Sequence, residues 1–157
     1  MTTPADDFPL KVYHALLGCQ ILERELKRYI TEALALAKKF HGTKMPVKMI
    51  NQDYANRFSG DYAKFSLGGL IRVFKELSDN EALVMELNEF KKNRNDLCHK
   101  GITNCLDLDG ELDYVSMSEF QNQLAAIAPE AQRLRLAVYE ANRFGVYLDF
   151  DDESNAG

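Results

Sequence analysis

Residues 9–41 read PLKVYHALLGCQILERELKRYITEALALAKKFH. Leu10, Tyr13, Leu17, Ile21, Leu26, Tyr29, Ile30, Ala33, Ala37 and Phe40 recur at spacings that trace one face of an α-helix. Pro9 suits the first turn, where its missing N–H has no intrahelical partner anyway, and Asp6 and Asp7 favour the start. Gly42 supplies a residue that can adopt the left-handed C-cap. At ~1.5 Å per residue, such a helix is a rod about 45 Å long. A rod of that length is expected in an elongated helical bundle, so the fold class is all-α.

Outward from this helix, three further helical stripes follow. Phe65 to Leu77 carries Leu67, Leu70, Ile71, Phe74 and Leu77; Gly68 and Gly69 within it cost about 1 kcal/mol each in propensity and are expected to allow close packing. Asn80 is an N-cap for a helix from Glu81 to about His99, with Leu83, Leu87, Phe90 and Leu97 on its stripe and Gly101 at its end. Ser118-Glu119-Phe120-Gln121 reads as a capping box for a last helix to about Phe144, bearing Phe120, Leu124, Ile127, Ala131, Leu134, Val138 and Ala141. Pro129 should kink or split it. Thr43 to Gly60, broken by Pro46, reads as a loop with one short helix. Asp109-Gly110 is a turn signal between Cys105–Leu108 and Leu112–Val115, which predicts a small β-hairpin. The sum is an up-down-up-down four-helix bundle with a possible small β-hairpin between the last two helices. It forms one domain over 1–148, followed by a flexible acidic tail over 149–157.

Composition is that of an ordinary globular protein: 157 residues, 46% apolar and 27% charged. No apolar run approaches the roughly 20 residues that span a bilayer, and the first residues lack the layout of a signal peptide. Three cysteines, Cys19, Cys98 and Cys105, with no export signal predict reduced thiols and a cytoplasmic protein. A net charge of −5 argues against a broad nucleic-acid surface. Lys91, Lys92, Arg94 and Lys100 nevertheless form a small basic focus, enough for one phosphate or a short single strand.

Arg94 stands at the centre of that focus, and it sits where an apolar residue belongs: four after Phe90 and three before Leu97. A permanent cation on a buried stripe is costly unless it is paired or lies at a cleft or interface. His99, five residues on, falls about 140° round a regular helix, on a polar stripe with Asn88, Lys92 and Asn95. One helix makes a poor pocket from two such stripes. Two copies packed about a two-fold axis can bring both pairs into one cleft.

Lys91-Lys92-Asn93-Arg94-Asn95-Asp96-Leu97-Cys98-His99-Lys100-Gly101, late on a helix of a small bundle, resembles the signature segment of the HEPN superfamily (higher eukaryotes and prokaryotes nucleotide-binding). The long first helix and the helix after the motif are similar too. The resemblance implies a homodimer whose interface holds a metal-independent endoribonuclease site, in a toxin, phage-defence effector or RNA-processing protein. It implies Arg94, Asn95 and His99 as catalytic residues, RNA as substrate, and a cognate antitoxin or regulatory protein as a possible partner; the basic focus of Lys91, Lys92 and Lys100 would then hold the strand, the plainer reading of Lys91-Lys92 being a solvated face. No cofactor and no metal is expected. The residue types suit the chemistry: histidine titrates near neutrality, and arginine offers a fork of donors to phosphoryl oxygens. The alternative is a non-catalytic HEPN-like module that dimerises or binds a nucleotide or a protein.

Plainer readings compete. Arg94 can pair with Asp96 or Glu89, His99 can serve the helix dipole, and Cys98 can be a small packing residue. His14 and His41 read as structural. Cys98-His99 with Cys105 has no standard zinc spacing and lacks a fourth ligand. Gly68-Gly69 is followed by no Lys-Ser/Thr, so a phosphate loop is excluded.

Overall fold

The computed structural model describes residues 8–43, 50–101, 109–111 and 114–148. Among them the secondary structure is helical: α1 (Phe8–Lys39), α2 (Gln52–Arg57), a 3₁₀ turn (Tyr62–Lys64), α3 (Leu67–Leu77), α4 (Glu81–Asp96), a π turn (Leu97–Gly101), α5 (Tyr114–Ala141) and α6 (Gly145–Leu148). One isolated antiparallel bridge joins Ile50 to Ser78. No described helix is long and apolar enough to cross a membrane.

α1 and α5 form the spine, and they run parallel. Phe8 stacks on Phe120, Lys11 donates to Gln121, Gly18 lies against Ala128, Arg28 covers Tyr139, and Asn142 donates to Glu32. Both chains advance together along the pair. α4 runs the other way, with Glu86 paired to Arg133 and Leu97 beside Leu124. Directions therefore do not alternate as an up-down-up-down order requires. The long segment between α1 and α3, with α2 inside it, gives the chain the length to return before α3 begins.

The core is built from Leu22, Leu26, Tyr29, Ile30, Ala33 and Leu36 of α1, the inward stripes of α3 and α4, and Ala131, Leu134 and Val138 of α5. The expected α1 face divides in two. From Leu26 to Ala37 the stripe is buried, but Leu10, Tyr13, Leu17 and Ile21 face solvent at 55%, 58%, 37% and 38% exposure. Ala15, Cys19 and Leu22 point inward instead. The N-terminal half of α1 is apolar nearly all round. The interior takes the smaller side chains because Gly18, Ala128 and Ala131 bring the two backbones close.

Local signals hold at several ends. The Asn80 side chain accepts from the Leu83 N–H at 3.2 Å, as an N-cap should. Gly42 sits at φ 81° after α1 and Gly110 at φ 80° in its turn, the left-handed region that glycine enters freely. Other expectations differ. Tyr114 and Val115 open α5 rather than closing a hairpin, so Ser118-Glu119-Phe120-Gln121 lies inside the helix and caps nothing. The other strand residues of that hairpin, the Asp6-Asp7 start and the acidic tail lie outside the described residues. α5 also continues through Pro129 without splitting. Ala125, whose carbonyl loses a donor, and Pro129 are both exposed, so water can satisfy the carbonyl. Gly69 is packed on Phe65 and Gly68 lies under the Lys91 stem, so the pair accommodates side chains rather than a neighbouring backbone.

Candidate functional site

Arg94 lies in the last turn of α4, and its position is set by the residues around it. Leu83, Leu87 and Phe90 lock the helix into the core, which leaves position 94 pointing toward α1 and α5. At Leu97 the helix widens. The Leu97 N–H is shared between the carbonyls of Asn93 and Arg94, and a π turn carries the chain to Gly101. Such turns advance by less than the α-helical angle per residue and concentrate at functional sites.

Arg94 is half-buried in the wall of a cavity of about 330 Å³. Val12, Leu16 and Cys19 of α1, Leu97 and Cys98 of the π turn, and Leu124 of α5 are among its lining, and Arg94 is the one charged residue among the described lining residues. Its Nε is buried and has no hydrogen-bond partner. Among the described residues it has no ion pair either: Asp96 and Glu89 are exposed and do not engage it. The structural pairing that would make Arg94 ordinary is therefore not formed there. Burial pushes the Cys19 thiol above its usual range, and the nearby Arg94 charge pulls it back only in part.

The other motif residues lie off the cavity. His99 is exposed on the π turn and Asn95 is half-buried; neither lines the cavity. A single chain thus does not gather Arg94, Asn95 and His99 round one void. Lys91 is half-buried with its stem on Gly68, and Lys92 is exposed. Lys100 belongs to the π turn by its backbone, while its side chain lies outside the described residues. Cys98 is exposed at the cavity wall rather than packed inside. Cys105 lies outside the described residues, and among those described no three metal-binding side chains converge.

The sequence reading missed the cavity. Its walls come from three separated segments, and the convergence of Cys19 and Cys98 beside Arg94 follows from packing. The available signal was the second apolar stripe of α1, Val12, Ala15, Leu16 and Cys19, which had no assigned partner. Compared with family profiles, curated proteins and solved structures, the chain matches none.

Proposed function

We propose that this chain is a HEPN-type endoribonuclease, cleaving RNA at a composite site where two copies meet and acting as a toxin or phage-defence effector under a cognate antitoxin or regulator. The observation that carries the reading is the half-buried Arg94 guanidinium, without a carboxylate partner among the described residues and a short step along the chain from the solvent-facing His99. The apolar stripe of Leu10, Tyr13, Leu17 and Ile21 supports a second copy: a helix apolar all round wants both faces covered.

In the proposed reaction one protomer's His99 takes the proton of a ribose 2′-hydroxyl, whose oxygen attacks the adjacent phosphorus. The phosphorus–O5′ bond breaks, and the partner's His99 protonates the leaving 5′-oxygen. Products are a 2′,3′-cyclic phosphate and a 5′-hydroxyl. Arg94 binds the phosphoryl oxygens as charge builds on them, Asn95 orients the imidazole or holds a phosphate, and Lys91, Lys92 and Lys100 hold the strand.

The test is cleavage of labelled single-stranded RNA in EDTA. Wild type is expected to leave 2′,3′-cyclic ends, with His99→Ala or Arg94→Ala slower by about 10²–10⁴-fold. Leu17→Asp should yield an inactive monomer by sedimentation equilibrium. Equal cleavage by His99→Ala sinks the assignment. No cleavage by a dimeric wild type favours a non-catalytic interaction module, a reading helped by the net charge of −5 and the apolar surroundings of Arg94.

A further inference from the structure

The apolar void beside Arg94 is a feature that RNA cleavage leaves unused, although the guanidinium in its wall is the one the proposed reaction engages. Its volume, about 330 Å³, lies within the roughly 300–1,000 Å³ range of small-molecule sites. Its walls are aliphatic and aromatic: Val12 and Leu16 on one side, Phe120, Leu124 and Ile127 on the other. Against them stands one cation, and among the described lining residues no carboxylate neutralises it. The Arg94 Nε, buried and without a hydrogen-bond partner, is a donor that protein groups leave unsatisfied. A buried donor without an acceptor is rare in folded proteins and marks a place for one.

These facts select a ligand class. A cation is repelled by Arg94. A neutral apolar molecule fills the walls but leaves Nε orphaned. A dianion brings more charge than one guanidinium balances and finds no second cationic group among the described lining residues. A carboxylate carries one charge on two oxygens, and its geometry matches the guanidinium fork. We infer that the cavity binds an amphiphilic monoanion, an acyl carboxylate whose chain lies between α1 and α5 and whose head group pairs with Arg94. The inference does not rest on ribonuclease activity, because occupancy is a property of the folded chain without RNA.

The test is isothermal titration of the full chain with hexanoate, octanoate, decanoate and decanol, with no RNA present. Each pair of added methylenes should tighten carboxylate binding about fifteenfold, until the cavity is full. Decanoate should bind at least about tenfold more tightly than decanol, the difference expected of a charge-assisted pair. Arg94→Met, which keeps the bulk and removes the charge, should erase that preference and spare decanol. Val12→Phe, which narrows the void, should weaken both ligands. No decanoate binding, binding indifferent to chain length, or decanol bound as tightly as decanoate by wild type overturns the proposal. The wild-type series decides it even if Arg94→Met does not fold, and a negative result here leaves the RNA assay untouched.

Discussion

At the scale of the residue, position 94 joins the sequence to the site. A stripe of Leu83, Leu87, Phe90 and Leu97 leaves one slot for an apolar side chain, and arginine fills it. The structure places that arginine against a cavity and, among the described residues, beside no carboxylate, so the anomaly seen in the pattern survives in three dimensions. Cys19 reports on the same spot. Burial raises its thiol above the ordinary value of 9.0, and the Arg94 charge opposes the rise. The neutral thiol is therefore the buried form. Its support for the fold is complete below pH 9.0 and fades above it, where the unfolded chain loses the proton first. In a Cys98→Ser/Cys105→Ser background, Cys19 should react with a disulfide reagent at least about tenfold more slowly than a free thiol at pH 7.5. Adding Arg94→Met should slow it further, since the charge that favours the thiolate is gone. A Cys19 that reacts like a free thiol, or faster without Arg94, contradicts this placement.

At the scale of the element, much of the helix content was legible because it rests on local rules. Asn80 caps α4 by its own side chain, Gly42 ends α1 region with a positive φ, and the stripes of α3 and α4 are single and unambiguous. What was not legible depends on partners. The N-terminal half of α1 carries two apolar stripes, and periodicity cannot say which one a neighbour will take. The answer lies in Gly18: a Cβ built there sits 3.2 Å from the Ala128 Cα and 3.3 Å from the Ala131 Cβ. That contact draws α5 onto the Ala15–Cys19–Leu22 side and leaves Leu10, Tyr13, Leu17 and Ile21 outside. The π turn was equally hidden, because Leu97 to Gly101 continues the helical pattern in sequence. Gly18→Val should destabilise the fold by about 1–3 kcal/mol, overriding the helix propensity it gains, because the α5 backbone must retreat. The urea midpoint measures it. An unchanged midpoint would mean that α1 and α5 are not as closely apposed as this contact requires.

At the scale of the whole molecule, the parallel α1–α5 pair needs something to hold its far end, since no short loop joins the two helices there. Tyr29 does so as the hub of an aromatic cluster, with Phe74 of α3 at 4.7 Å and Phe144 at 5.0 Å between ring centroids. Burial raises the Tyr29 hydroxyl above its usual range, and a hydrogen bond with Ser78 at the end of α3 opposes the shift. Phe144 is 1% exposed and follows α5 directly. Asn142 donates to Glu32 and accepts from the Phe144 N–H, while Lys39 donates to the Tyr147 carbonyl of α6. The segment after α5 thus hooks back over α1 and closes the end opposite the cavity. Because the hub touches three helical layers, its loss should be felt globally. Phe144→Ala is expected to cost about 3–5 kcal/mol, a large share of the roughly 5–15 kcal/mol of a typical domain. In urea titration the midpoint should fall while the slope stays constant, as for a two-state unit that loses stability without changing the surface it exposes. A loss below about 1 kcal/mol would instead make the hook peripheral. The parallel pair would then be held by the α1–α5 contacts alone, with Gly18 at their centre.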